Sequence, residues 1–137
     1  MRPHGMRRRD EAGSLSVELV ILLPALFAVM FLGMQAALFY HARAVAIAAA
    51  QAGAQAASAE NGTPTDGARA ANGFLADAGR GGVLTSTTAT VTRTATTVTV
   101  TITGHSLSVI PGWNPVIVQS ASLPRERLTA PTGIGTP

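Results

Sequence analysis

The sequence has no cysteine, no lysine and few aromatic side chains, which make up 4% of its 137 residues. Without cysteine, neither a disulfide framework nor thiolate chemistry is available to the chain. Aromatic side chains bury the most area per residue, so their scarcity argues against the wide core of a compact soluble enzyme. The apolar residues, 47% in all, are largely alanine (25), and threonine follows with 16. The length fits a single domain, and the composition fits a small core.

Charged residues are scarce as well, at 12%, and the ten arginines outnumber the seven acidic residues. A basic excess ordinarily suggests a nucleic-acid partner. Residues 1–13, however, hold four of the arginines and two of the acids, so residues 14–137 carry only +1 of the formal net charge of +3. We therefore predict no direct binding of nucleic acid and interpret residues 1–13 as an arginine-rich cytoplasmic leader.

An uncharged run of 22 residues, LVILLPALFAVMFLGMQAALFY, extends from Leu19 to Tyr40. As a helix it rises about 33 Å, enough to cross a hydrocarbon core of about 30 Å. A buried core helix is the alternative, but nothing else in the chain is apolar enough to surround one. Because arginines precede the run, we predict a single-pass protein of the cell membrane with a cytoplasmic N-terminus and an extracytoplasmic C-terminal domain. An ordinary cleaved secretory signal is disfavoured, since its apolar region is usually shorter.

Glu18 stands directly before this run, where a carboxylate is costly unless it is paired. It is either a residue at the level of the lipid headgroups or a charge that awaits a cation from a partner. The stretch from Gly13 to Leu19, GSLSVEL, resembles the processing site of type IV prepilins. The longer stretch GSLSVELVILLPALFAVMF resembles the TadE family, the pilin-like proteins of the tight-adherence (Tad/Flp) pilus. This resemblance covers roughly residues 10–55.

The resemblance implies that a prepilin peptidase cuts the chain between Gly13 and Ser14, and glycine suits such a site because its backbone can lie close to a protease. Glu18 would then be the fifth residue of the mature chain and Pro24 the eleventh, as in the family pattern. In pilin assemblies such a carboxylate is thought to attract the N-terminal amine of a neighbouring subunit. Pro24, assigned to assembly by the resemblance, should also loosen the helix because it removes a backbone donor. Leu19 departs from the family, which often has phenylalanine there.

The helix is expected to continue beyond the membrane, from about Leu15 to Ser58, because residues 41–60 have high helix propensity. Within it, Gln35 is an isolated polar residue that could form a hydrogen bond across a helix pair. A break at Asn61-Gly62-Thr63-Pro64 precedes a short helix that Thr65-Asp66 would cap and that ends near Ala78.

Alternation of apolar and polar residues then predicts three antiparallel strands, at 88–92, 97–103 and 115–123. Val98, Val100 and Ile102 would share one face of the sheet and pack on the alanine-rich helix, with threonines on the other face. Trp113, in the turn before the third strand, is expected to close the small core, with an exposed contact as the alternative.

These elements give an α+β membrane-anchored fold: a long N-terminal transmembrane helix that continues into a small extracytoplasmic domain with a short helix and about three strands. The predicted parts are a cleaved leader (1–13), the long helix (14–60), the small domain (61–128) and a disordered tail (129–137).

No pattern of residues in the sequence indicates catalysis. His41 and His105 are far apart and have no cysteine beside them, so we predict no enzyme, no cofactor and no metal. One remaining function is a TadE-like minor pilin or pseudopilin, a structural assembly component of a Tad-type pilus that serves adhesion, secretion or DNA uptake. Its partners would be membrane lipid, the prepilin peptidase and other Tad pilus subunits or pseudopilins. The alternative is an unprocessed single-pass membrane protein whose extracytoplasmic domain binds an envelope partner. The sequence leaves open whether the chain enters the pilus shaft or only primes assembly.

Overall fold

The computed structural model describes residues 8–78 and 81–125, with side chains from residue 16 onward. Two helices and three strands follow one another along the chain: α1 (Arg8–Ser58), α2 (Pro64–Ala78), β1 (Leu84–Arg93), β2 (Thr97–Ser106) and β3 (Val116–Pro124). The strands form one antiparallel sheet in the order β1-β2-β3. The predicted α+β fold class is confirmed. Residues 1–7 of the predicted leader and the tail predicted at 129–137 lie outside the described residues.

Helix α1 is continuous over 51 residues, about 77 Å, and its surroundings change partway along. It begins before the predicted start at Leu15, because arginine, glutamate and alanine in residues 8–12 are good helix formers and acidic residues near a helix N-terminus are favourable. Large apolar side chains are exposed from Val17 to Met34, whereas further along the helix six alanines are fully buried: Ala42, Ala46, Ala49, Ala50, Ala54 and Ala57. The second half of α1 therefore belongs to the folded core.

We refer to α2 and the sheet together (residues 64–78 and 81–125) as the head. Its sheet presents Val98, Val100 and Ile102, all fully buried, to α1, as the alternating pattern predicted. Strand β1 begins earlier than expected, at Leu84, because a bulge between Thr85 and Thr88 interrupts the alternation. Ser86 lies in this bulge with a φ of 51°, a conformation that the sequence pattern could not signal.

The two helices of the core approach one another very closely where two glycines face each other. A Cβ added to Gly53 of α1 would lie 2.9 Å from the carbonyl oxygen of Gly67 in α2, and the reverse distance is also 2.9 Å. The same added atom on Gly53 would meet Val100 of β2 at 3.1 Å. Small residues at this crossing are therefore what lets α1 lie against α2 and the sheet at once.

Helix α2 already begins at Pro64, before the cap predicted at Thr65-Asp66, and it has a different cap. The Thr63 Oγ1 accepts a hydrogen bond from the Asp66 amide (3.1 Å), while the Thr63 amide donates to the Asp66 Oδ2 (3.0 Å). This reciprocal pair is a capping box with Pro64 at the first helical position, where proline is favoured. The prediction of a cap at Thr65-Asp66 was wrong, because Asp66 serves as the returning partner rather than as the cap.

Candidate membrane and assembly segment

The first half of α1 carries a belt of exposed large apolar side chains. Each is between 44% and 72% exposed: Val17, Leu19, Val20, Ile21, Leu22, Leu23, Leu26, Phe27, Val29, Met30, Phe31, Leu32 and Met34. Among the described residues, one helix is long and apolar enough to cross a membrane, and none of its most apolar window is buried against the rest of the chain. An apolar surface of this extent requires lipid or another protein to cover it.

The residues assigned to processing and assembly all lie on α1, in chain order. Gly13 and Ser14 are within the helix, five and six residues after its start at Arg8, and Pro24 lies inside it. Glu18 is exposed at the N-terminal end of the apolar belt and forms no ion pair with any side chain that the structure describes. The fold thus leaves this carboxylate available to a partner, and its role in assembly stays a prediction.

Gln35 follows directly after the C-terminal end of the apolar belt and is only 1% exposed. Its Nε2 donates to the Leu107 carbonyl (3.3 Å), and its Oε1 accepts from the Val109 amide (2.9 Å) and the Ser108 hydroxyl (3.1 Å). All three partners lie in the segment between β2 and β3. The side chain therefore holds the head against α1, rather than joining two membrane helices as the sequence suggested.

The role of Gln35 differs from the one predicted, although its amide side chain in an apolar run was a signal in the sequence. An amide in an apolar run must satisfy both its donors and its acceptor if it is buried. Its partners are more than seventy positions away along the chain. A local pattern therefore identifies the residue but not the segment that it holds.

Trp113 does not close the core, so that prediction was wrong. It is 48% exposed and ends a tight turn in which its amide donates to the Ile110 carbonyl (3.2 Å). Pro111 and Gly112 occupy the centre of the turn, and Gly112 has the φ of 78° that a type II turn needs at that position. Alanines, valines and isoleucines already fill the narrow space between helix and sheet, which leaves no room for an indole.

Titratable groups are few and dispersed. Within the described ranges 16–78 and 81–125, no three histidine or acidic side chains lie close enough together to hold a metal ion. Two hydrogen bonds from Thr63, and then the charge of Arg69 at 2.9 Å, lower the pKa of the Asp66 carboxyl. These contacts explain Asp66 as part of a helix cap.

The fold is that of an α+β protein in which a long helix with an exposed apolar belt carries a small head. The model of the family described as TadE-like protein matches residues 13–55, and the predicted resemblance is confirmed over that segment. The match covers most of α1 and leaves the head outside it. No curated protein and no solved structure matches the chain. Proteins of that family are related to the Tad pilus and are structural rather than catalytic.

Proposed function

We propose that this chain is a minor pilin-like subunit, or pseudopilin, of a Tad-type pilus and a structural component of its assembly. The observation that carries the proposal is the family match, which begins at Gly13 and then follows α1 as far as residue 55. A match that starts at the glycine supports a boundary between leader and mature chain at that position. The apolar belt that follows supports a subunit that is stored in the membrane before it assembles.

The proposed orientation has the N-terminus in the cytoplasm and the head outside. Arginines are concentrated in residues 1–13 and none occurs again until Arg43, beyond the apolar belt. Positive residues on the cytoplasmic side favour this orientation during insertion. It would also bring the bond between Gly13 and Ser14 to the cytoplasmic face, where a prepilin peptidase would cut it.

Glu18 supports an ordered mode of assembly with other subunits. Cleavage after Gly13 would create an α-amino group on Ser14, four residues before Glu18, which is about 6 Å along the helix axis. A charge near hydrocarbon is stabilised by an opposite charge. The amine of one subunit and the exposed carboxylate of the next would thus remove two charges from lipid by pairing.

The processing step is tested by N-terminal sequencing of the chain produced together with a prepilin peptidase. We expect the wild-type protein to start at Ser14 and the Gly13→Val variant to keep its leader and migrate more slowly. Gly33→Val is the matched control, because a Cβ at Gly33 on the same helix meets nothing within 4 Å. This control should be processed normally.

An intact leader on the wild-type protein in the presence of active peptidase would contradict the proposal. It would favour the alternative, an unprocessed single-pass membrane protein whose head binds an envelope partner. Equal processing of Gly13→Val and wild type would place the cut elsewhere in the chain.

A further inference from the structure

A loop without charged residues forms one end of the head. This end lies beside Gln35, at the C-terminal end of the apolar belt. We call residues 107–115, which connect β2 to β3, the β2–β3 loop. Their sequence is LSVIPGWNP, and no aspartate, glutamate, lysine or arginine occurs between Arg93 and Arg125. Three large apolar side chains in or next to the loop are 42–57% exposed: Leu107, Trp113 and Val116. The end of the head that holds Gln35 therefore exposes large apolar side chains and no charge.

The position of this loop along α1 follows from two contact points. Gly53 lies opposite Val100 of β2, and Gln35 lies opposite Leu107. From Gln35 to Gly53, eighteen residue steps along α1, the helix rises about 27 Å. From Val100 to Leu107, seven residue steps of extended chain, the rise is about 23 Å. Since the two rises agree, β2 runs along the helix axis towards the belt, and the β2–β3 loop lies at the level of Gln35.

The length of the apolar belt then sets the depth of the loop in the bilayer. From Glu18 to Gln35 the helix rises about 26 Å, whereas a hydrocarbon core is about 30 Å thick and takes about 20 helical residues. With Glu18 at the inner boundary, hydrocarbon therefore extends to about residue 38. Gln35 and the loop that satisfies its hydrogen bonds would lie within about 5 Å of the outer boundary of the hydrocarbon core, where the headgroup region begins.

We infer that the β2–β3 loop lies in the outer headgroup region of the membrane, where the indole of Trp113 anchors the head to the lipid surface. Tryptophan is favoured at this depth because its ring is apolar and its N–H can reach water or a headgroup. The turn at Pro111-Gly112 holds Trp113 at the surface of the loop. The inference rests on the membrane anchoring of α1 that belongs to the proposed function. Its consequence is a head with a fixed orientation on the membrane before assembly.

Trp113 is the only tryptophan of the chain, so its fluorescence reports on this loop without any substitution. The full-length protein is reconstituted into phosphatidylcholine vesicles, some with bromine atoms on the acyl chain close to the headgroup. We expect Trp113 emission at shorter wavelength than in water, strong quenching by the brominated lipid and weak quenching by aqueous acrylamide. The matched control carries Trp113→Phe and Ala95→Trp, because Ala95 is an exposed residue in the turn at the opposite end of the sheet. Its tryptophan should respond to acrylamide and not to the lipid.

Flotation of the vesicles separates failure of this inference from failure of the proposed function. If the protein floats with the vesicles but Trp113 behaves like the tryptophan at position 95, the loop faces water and the inference is overturned alone. If Trp113 is protected from both quenchers, a second copy or another protein covers the loop, which also overturns it. If the protein does not float, membrane anchoring fails and both proposals fall.

Discussion

The close crossing of α1 and α2 predicts that the same substitution has different effects on stability at two glycines. A methyl group at Gly53 would lie 2.9 Å from the Gly67 carbonyl oxygen and 3.0 Å from the Cβ of Ala71, both on α2. A methyl group at Gly73, also on α2, meets nothing within 4 Å. Gly53→Ala should therefore push the helices apart, whereas Gly73→Ala adds a methyl group in open space.

The size of the difference follows from two opposing terms. Replacing glycine by alanine inside a helix gains about 1 kcal/mol, because alanine loses less backbone entropy. Inserting a methyl group into a filled core costs about 1–3 kcal/mol. Gly73→Ala should thus stabilise the folded head by about 1 kcal/mol, and Gly53→Ala should be less stable than Gly73→Ala by about 1–3 kcal/mol.

Hydrogen exchange of the β2 amides in the full-length protein in detergent micelles measures this difference. These amides exchange when the head opens, so their rates report its opening free energy. A difference of about 1–3 kcal/mol corresponds to roughly 5- to 150-fold faster exchange in Gly53→Ala than in Gly73→Ala. Equal or slower exchange in Gly53→Ala would show that the glycine contact does not limit the approach of the helices, and the packing argument would be refuted.

Two further predictions concern acidic side chains. Because hydrogen bonds from Thr63 lower the pKa of Asp66 below its ordinary value of 3.8, the ionised form stabilises α2 above that value, and this contribution is lost as the pH falls through the lower folded-state pKa. Exchange of the α2 amides should show this acid dependence, and Thr63→Ala should weaken it whereas Thr65→Ala should not. Glu18→Gln is expected to reduce recovery of the processed subunit in sheared pili, with Glu60→Gln, an exposed acid beyond the belt, as the control. Normal recovery of Glu18→Gln would remove the carboxylate from the assembly mechanism.

The elements that could be predicted from the sequence are those defined by local periodicity. The end of α1 at Ser58 and the inward face of β2, with Val98, Val100 and Ile102, agree with the structure. Each follows from helix propensity or from strict alternation within a few residues. The family resemblance could also be recognised from the sequence, because the residues that carry it are contiguous from Gly13 onward.

The features that could not be predicted depend on contacts between distant segments. The partners of Gln35 lie in the β2–β3 loop, and no periodicity within α1 indicates them. Trp113 was assigned to the core because large aromatic side chains are usually buried. Its exposure depends on how little space remains between α1 and the sheet, which is a property of the assembled core. The extra residues of β1 before Thr88 were hidden by the bulge at Ser86.

Side-chain size, more than polarity, marks the place along α1 where its surroundings change. The residues on both sides of Gln35 are mostly apolar, so a hydropathy profile would continue smoothly through it. On the N-terminal side of Gln35 the apolar residues are mostly leucine, phenylalanine, valine and methionine, and they are exposed. On its C-terminal side the buried apolar residues are mostly alanine. Lipid accommodates large side chains on every face of a helix, whereas the head can approach α1 closely only across methyl groups and Gly53. The abundance of alanine and the scarcity of aromatics thus both follow from a helix that supports a thin sheet at short range.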